Sequence, residues 1–294
     1  MALDGTAGEL TPDTVRMRLV SVCPDRVGIV AAVASCLADL GANIERSHQF
    51  SSQPSDGTFF LRMELAVPFL AHTELRRVFK VTVGDRFGMS WQIRDASERR
   101  RIAVLVSRRD HCLTELLWRW RRDELDAEIA MVVSNHPDLR PEAEALALPY
   151  HHIPVTPDTK AQAEAELLDV LDGECDLVVL ARYMQVLSAD FLARVGVPII
   201  NIHHSFLPAF PGASPYERAH ERGVKLIGAT AHYVTEELDE GPIIEQDVIR
   251  VNHEHDLISL ERLGAHIERS VLARAVQWHC QDRVLRHGTT TVVF

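Results

Sequence analysis

Short, continuous apolar runs alternate with longer helical patterns from residue 102 onward. Ile102–Val106, Ile129–Val133 and Leu177–Leu180 are uninterrupted apolar runs, whereas His111–Arg122 and Thr159–Leu171 place apolar residues at helical spacing. Strands that read as continuous apolar runs are usually buried on both faces, as in parallel sheets covered by helices. The alternation predicts βα units and an α/β domain with a Rossmann-like, mostly parallel sheet.

The alternation of expected strands and helices continues beyond residue 180. Further expected strands are His152–Val155, Val197–Ile200, Ile227–Val234 and Ile243–Val251. Further expected helices are Tyr216–Arg222 and Leu257–Cys280. One α/β domain is therefore predicted for residues 101–294.

The part of the chain before residue 95 has a different pattern. Expected strands are Val15–Val22, Asn43–Ser51, Thr58–Val67 and Met89–Arg94, and expected helices are Val27–Leu40, capped by Asp25, and Ala71–Phe87. The inner stripe of the first helix is expected to be Val27, Val30, Ala31, Ala34, Leu37 and Ala38. The order βαββαβ predicts a ferredoxin-like domain at 14–94. Residues 1–13 are predicted to be a flexible tail, and the charged residues 95–100 a linker.

The composition excludes several classes of protein. The formal net charge of -11 argues against a nucleic-acid partner, since phosphate binding needs a basic surface. Five dispersed cysteines without CxxC spacing indicate reduced thiols and a cytoplasmic protein. The 15 histidines show no zinc-site spacing, so no metal is predicted. Neither a signal peptide nor a membrane-spanning run is recognisable.

Polar side chains follow the apolar run Val197–Ile200. Asn201 and His203 point to one face of the expected strand, and a Pro/Gly-rich loop follows. Ligands bind at the carboxyl ends of strands in open parallel sheets, and two such donors can hold a developing oxyanion. By itself, the pair is more typical of polar residues that cap a loop at the end of a strand. Asp239, in the acidic loop Thr235–Pro242, would by itself be a turn residue.

Taken together, these segments resemble the folate-dependent formyltransferases. The matching pattern is Asn201-x-His203 with Ser205, Leu207, Pro208 and Gly212, then His232-x-Val234, then Asp239-x-Gly241. The resemblance implies that Asn201, His203 and Asp239 are catalytic. It places Met184, Val186 and Leu187 in a folate cleft, with Glu237 and Leu238 on a loop that contacts the pterin. His232 would either orient Asp239 or be a core histidine.

The first domain resembles the ACT family. Cys23-Pro-Asp-Arg-Val-Gly-Ile-Val30 and Ala42-Asn-Ile44 carry the likeness. The resemblance implies an amino-acid effector bound near Asp25 and Gly28, at an interface between paired modules. One sheet face needs cover, either from a second subunit or from the second domain, and a homo-oligomer, either a dimer or a tetramer, is expected. Alternatively, Gly28 merely permits close packing of the helix start.

One departure from the formyltransferases bears on the reaction. The glycinamide ribonucleotide enzymes have a glycine-rich phosphate loop after the first strand, where this chain has Ser107-Arg-Arg-Asp-His-Cys-Leu113. Without glycines the backbone cannot wrap a phosphate in that way. Water is therefore expected as the acceptor, and the whole chain resembles the formyltetrahydrofolate deformylases.

That resemblance implies hydrolysis of 10-formyltetrahydrofolate to formate and tetrahydrofolate, which supplies formate for purine synthesis and balances folate pools. Folate is then the substrate, and no cofactor is expected. Asp239 would deprotonate water, and Asn201 and protonated His203 would stabilise the oxyanion. The alternatives are formyl transfer to an amine and a non-catalytic folate or amino-acid sensor.

Overall fold

The computed structural model describes residues 14–53, 57–209, 212 and 214–294, so the tail predicted at 1–13 lies outside the described residues. The chain divides into two compact units between Glu98 and Arg99. None of the helices in the described part of the chain has the length and apolar composition needed to cross a membrane.

The first unit is a four-stranded antiparallel sheet packed against helices. Its strands are β1 (Thr14–Pro24), β2 (Asn43–Ser51), β3 (Thr58–Pro68) and β4 (Ser90–Asp95), in the spatial order β2-β3-β1-β4. Its helices are α1 (Ile29–Asp39), α2 (His72–Phe79) and α3 (Asp85–Phe87), with a π-helical turn over Lys80–Gly84 between the last two. This arrangement confirms the predicted ferredoxin-like unit.

The buried face of α1 differs from the predicted stripe. The helix begins after Gly28, which is the N-cap residue and has a positive φ of 93°, so the predicted cap by Asp25 is wrong. Val27 is 102% exposed, whereas the buried residues are Ile29, Val33, Cys36 and Leu37. Apolar residues surround much of this helix, and burying the larger side chains removes more apolar surface from water than burying alanines.

The second unit is a seven-stranded sheet with helices and a C-terminal hairpin. Its sheet strands are β5 (Arg100–Val106), β6 (Ala127–Ser134), β7 (Tyr150–His152), β8 (Leu177–Leu180), β9 (Ile199–His203), β10 (Leu226–Tyr233) and β11 (Ile243–Arg250). Its helices are α4 (His111–Arg121), α5 (Arg140–Glu144), α6 (Lys160–Leu171), α7 (Ala189–Arg194), α8 (Pro215–Glu221) and α9 (Leu257–Cys280). The hairpin consists of β12 (Val284–His287) and β13 (Thr290–Val293).

The strand order is β11-β10-β9-β8-β5-β6-β7. The five strands from β9 to β7 are parallel, and β10 and β11 extend the sheet antiparallel, which confirms the predicted mostly parallel architecture. The chain adds β6 and β7 on one side of β5 and returns to add β8 on the other side. The carboxyl ends of β5 and β8 therefore form a topological switch point, where open α/β sheets leave a crevice.

Both faces of the central strands are buried. Ile102, Val104 and Val106 belong to one apolar core, whereas Ala103 and Leu105 belong to another on the opposite face. Burial on both faces explains why β5 reads as a continuous apolar run.

Some local predictions were wrong. The strand expected at His152–Val155 lies instead at Tyr150–His152, where it pairs with β6. β4 extends to Asp95 and β5 begins at Arg100, so both ends of the predicted linker are strand residues. The charge of Arg100 did not prevent strand formation, because its guanidinium pairs with the buried Asp282 carboxylate.

Candidate active site

A cavity of about 310 Å³ opens beside β8 and β9 in the second unit. Its walls come from the segment after β8, from the carboxyl end of β9 and from the loop after β10. Asn201, His203 and Asp239 all line it. The fold thus brings together three residues that the sequence placed on two separate segments.

Asn201 is paired with a histidine on the neighbouring strand. In the register between β9 and β10, Asn201 lies opposite His232, and its amide Nδ2 is 3.2 Å from His232 Nε2. Nδ1 of the same ring lies 3.0 Å from the carbonyl oxygen of Tyr233. A carbonyl can only accept, so His232 Nδ1 carries the proton and its Nε2 accepts from Asn201. This bond fixes one amide hydrogen of Asn201 and leaves the other to a ligand.

The ring of His232 is neutral in this arrangement. Burial lowers its pKa, against the opposing effects of the Tyr233 carbonyl and the Asp239 carboxylate. Its Nε2 is also 3.8 Å from Asp239 Oδ1, but a neutral ring whose lone pair faces Asn201 makes no ion pair there. His232 is therefore a buried histidine with both ring nitrogens hydrogen-bonded, and one of these bonds orients the Asn201 amide.

Asp239 and His203 are paired at the centre of the site. His203 Nδ1 lies 3.2 Å from Asp239 Oδ1, and the backbone N–H of Gly212 donates to Asp239 Oδ2 at 3.1 Å. Burial alone would raise the pKa of Asp239, but the His203 hydrogen bond and charge, together with the Gly212 N–H, hold it below its usual value of 3.8. Asp239 is therefore a carboxylate at neutral pH.

The backbone of the acidic loop explains the Asp-x-Gly spacing. Asp239 has a positive φ of 60°, a conformation that Asp tolerates better than most residues. A Cβ at Gly241 would lie 1.7 Å from the carbonyl oxygen of Tyr233, so only glycine fits there. The loop then closes through a 2.9 Å bond from the Tyr233 N–H to the carbonyl of Pro242. This closure turns Asp239 back toward β9.

The residues predicted to contact folate form the mouth of the same cavity. Met184 and Val186 line it and are 55% and 57% exposed, which is incompatible with plain core packing. Leu187 lines it while packing partly against the core. Glu237 and the exposed Leu238 also line it, from the loop after β10. Exposed apolar side chains that line one cavity are suited to a flat aromatic ring.

The segment Ser107–Leu113 differs from a phosphate loop in structure as well as in sequence. Its last residues begin α4, with Asp110 as the N-cap residue. A carboxylate at this position would repel a phosphate approaching the amino end of the helix. The Ser107 hydroxyl is already used in two hydrogen bonds: it accepts from the Met184 N–H at 3.0 Å and donates to Asn135 Oδ1 at 2.7 Å.

Two residues at the cavity were missed by sequence reasoning. Arg182 and His204 both line it, and burial, with the nearby Arg182 charge, lowers the pKa of His204 to about 3. His204 is therefore neutral beside His203. Arg182 lies in the segment Leu180–Leu187, which the resemblance assigns to the folate cleft, but no role was predicted for it. A polar residue directly after β8 was a signal that could have been used.

The two predicted effector residues lie at the start of α1. Asp25 is half-buried, and its N–H donates to the carbonyl of Gly57 at 2.8 Å. Gly28 is exposed, and a Cβ added there would meet no atom within 4 Å. The requirement for glycine thus comes from its positive φ of 93° and not from close packing, which counts against the packing alternative.

Within the described residues, His111, Cys112 and Glu268 could together present ligand atoms to a metal. The chemistry of this group fits a metal poorly. Glu268 already accepts from Tyr216 and pairs with His111. Burial and the Glu268 charge keep the pKa of the Cys112 thiol well above its usual value, so the thiolate ligand is disfavoured.

Comparison with known proteins agrees with this architecture. The formyl transferase family model matches residues 100–276, and the ACT domain model matches residues 18–82. A formyltetrahydrofolate deformylase of Mycobacterium tuberculosis is 56% identical over 279 residues, covering 94% of this chain and 90% of the relative. This chain belongs to the formyltetrahydrofolate deformylase family.

Solved structures give the same result. A formyltetrahydrofolate deformylase from Pseudomonas syringae superposes with a TM-score of 0.91 at 48% identity, covering 95% of each chain. A glycinamide ribonucleotide transformylase from Symbiobacterium toebii gives a TM-score of 0.63 at 30% identity, covering 67% of this chain and 94% of its own. The likeness to the transformylases is therefore more distant and covers less of the chain.

Proposed function

We propose that this chain hydrolyses 10-formyltetrahydrofolate to formate and tetrahydrofolate. Family membership supports this reaction, and the observation that carries it is the grouping of the Asp239 carboxylate, His203 and the oriented Asn201 amide in one cavity. No metal or other cofactor takes part in the proposed reaction. Released formate would supply purine synthesis, and tetrahydrofolate would return to the folate pool.

The chemistry uses these groups in order. Asp239 accepts a proton from a water molecule, and the water oxygen bonds to the formyl carbon. Asn201, through its second amide hydrogen, and His203, when protonated on Nε2, donate to the oxygen that becomes negative. Asp239 then returns the proton to N10 as the C–N10 bond breaks. Formate and tetrahydrofolate leave.

The segment before α4 supports water as the acceptor. It has no glycine, and Asp110 places a carboxylate where the transformylase-like phosphate loop would be. The charge of -11 also disfavours transfer to a tRNA-bound amine, because that substrate needs a basic surface.

The test is turnover of 10-formyltetrahydrofolate in buffer without any amine. We expect formate and tetrahydrofolate to appear in equal amounts over many turnovers. Product formed only after an amine is added would show a transferase. Folate binding without any product would show a sensor.

We also propose that the ACT unit binds a free amino acid at the turn containing Asp25 and Gly28, between subunits of a dimer or tetramer. The family match and the exposed turn support this site. An effector can change the rate only if it binds one arrangement of the enzyme more tightly than another.

Gly28→Val is expected to abolish the response of formate release to methionine or glycine. Gly28→Ala is the control, because it also places a side chain on the residue with positive φ, whereas Val strains the backbone further and adds methyl groups that fill the turn. Rates are measured across both titrations, with the mass determined in solution. The proposal would be contradicted if wild type is a monomer in solution and its rate of formate release does not change with either amino acid.

A further inference from the structure

A second cavity adjoins the catalytic one. It has a volume of about 300 Å³ and lies beside α8, α9 and the start of α4. Arg182, Met184 and His204 line both cavities and so form the boundary between them. An acceptor molecule that attacked folate-bound formyl from this side would have to pass this boundary.

Arg182 occupies the boundary in a conformation that is unusual for its residue type. It directly follows Ala181 at the carboxyl end of β8 and has a positive φ of 64°. A long side chain strains the backbone in this region, whereas glycine does not. The Ser107 N–H donates to its carbonyl oxygen at 3.3 Å, which ties the strained residue to the end of β5 at the topological switch point.

The Arg182 side chain is held between the two cavities by a buried carboxylate. Only 12% of the side chain is exposed, and Nε lies 3.5 Å from Glu268 Oε2. Within the described residues, Nε and Nη1 have no hydrogen-bond partner. Strain and incompletely bonded buried nitrogens are both costly, and the pairing with the buried Glu268 carboxylate offsets part of this cost.

The groups around Glu268 are arranged to keep it charged and fixed. Tyr216 donates to Oε1 at 2.6 Å, and His111 Nε2 lies 2.8 Å from Oε2. Burial would raise the pKa of Glu268, but His111, Arg182 and Tyr216 hold it well below its usual value. Gly264 of α9 makes room for this arrangement, since a Cβ there would lie 1.9 Å from the Tyr216 hydroxyl.

We propose that Arg182 determines which acceptor reaches the formyl group: its side chain closes the passage from the second cavity, so that water can attack and an amine cannot. This inference rests on the proposed hydrolase function. The second cavity is large enough for a small amine, and the Arg182 side chain lines both cavities at their boundary.

Arg182→Gly tests this by opening the passage and relieving the strained φ. The probe is glycinamide. In the variant, its amine nitrogen bonds to the formyl carbon, the C–N10 bond breaks, and the proton lost by the amine goes to N10, giving N-formylglycinamide and tetrahydrofolate. We expect the ratio of formylated amine to formate to rise at least about tenfold over wild type, which is a change of roughly 1.4 kcal/mol in relative barrier height.

The product ratio is independent of how much enzyme is folded, because both products come from the same active molecules. Ala147→Gly is the matched control, since Ala147 is exposed and also has a positive φ, of 56°. The double variant Arg182→Gly/Glu268→Gln is measured in parallel. It removes both charges, so that the buried Glu268 carboxylate is not left without its Arg182 partner.

The role of Arg182 would be overturned if the ratio of N-formylglycinamide to formate in both Arg182 variants equals that of wild type. The ratio is measured at a glycinamide concentration above which the rate no longer changes. The role of Arg182 would also be overturned if wild type releases formate but both variants form neither formate nor N-formylglycinamide. The Arg182 side chain would then be needed for hydrolysis itself. Absence of formate from the wild type would instead contradict the hydrolase function.

Discussion

Replacing Asp239 with Asn is expected to lower kcat by roughly 10²–10⁴-fold, the usual contribution of a positioned acid or base. The amide cannot accept the proton of the attacking water and cannot return one to N10. Asn fits the positive φ of 60° at this position, and its oxygen can still accept one of the two contacts from His203 and Gly212. Folate binding should therefore persist.

Glu240→Gln is the control for Asp239→Asn. Glu240 is the exposed neighbour of Asp239 and does not line the cavity, so this variant removes one charge from the same loop. Its kcat should stay near that of wild type. Folate binding to Asp239→Asn is verified separately. A kcat of this variant close to that of wild type would contradict the assignment of Asp239 as the general base.

The pH dependence should agree with this assignment. Because the folded pKa of Asp239 lies below 3.8, the carboxylate stays charged as the pH falls from 8 to 5. The stabilisation that it gives the fold is present above its unfolded pKa and is lost only as the pH falls through the lower, folded pKa. A rate loss between pH 8 and 5 as large as that of Asp239→Asn would contradict the assignment.

Replacing Asn201 with Ala is expected to lower kcat by roughly 10²–10³-fold, the cost of one oxyanion donor. The loss should fall on kcat with little change in KM, since the negative charge on oxygen exists only in the transition state. If KM rises by about the same factor as kcat falls, Asn201 does not act specifically on the transition state.

His232 supplies the matched variants for Asn201. His232→Phe removes the acceptor for the Asn201 amide and should cost about 1–3 kcal/mol, or roughly 5- to 150-fold in kcat. His232→Gln offers an amide oxygen in place of Nε2 and should recover part of the loss. If Phe and Gln behave alike, the bond between Asn201 and His232 does not matter for the rate.

The two-domain architecture was predictable because the periodicity of the chain changes near residue 100. Continuous runs such as Ile102–Val106 are characteristic of strands buried on both faces, and β5 has that environment. The face of α1 was not predictable, since apolar residues on several sides allowed two stripes. Packing against β1 and β3 selected Ile29, Val33 and Leu37.

The local motifs placed Asn201, His203 and Asp239, but could not show what holds them. The bond from Asn201 to His232 depends on the register between β9 and β10, a long-range feature without a sequence signature. Arg182 was hidden for a similar reason. Its positive φ and its pairing with Glu268 come from the meeting of β8 and α9 in space.

Turnover in H₂¹⁸O without an amine is the most direct test of the hydrolytic site. If water activated at Asp239 attacks the formyl carbon, the formate released by wild type must carry at least one ¹⁸O atom. Asp239→Asn should release labelled formate at a rate roughly 10²–10⁴-fold below that of wild type. Formate without ¹⁸O, or no formate until an amine is supplied, would contradict the account.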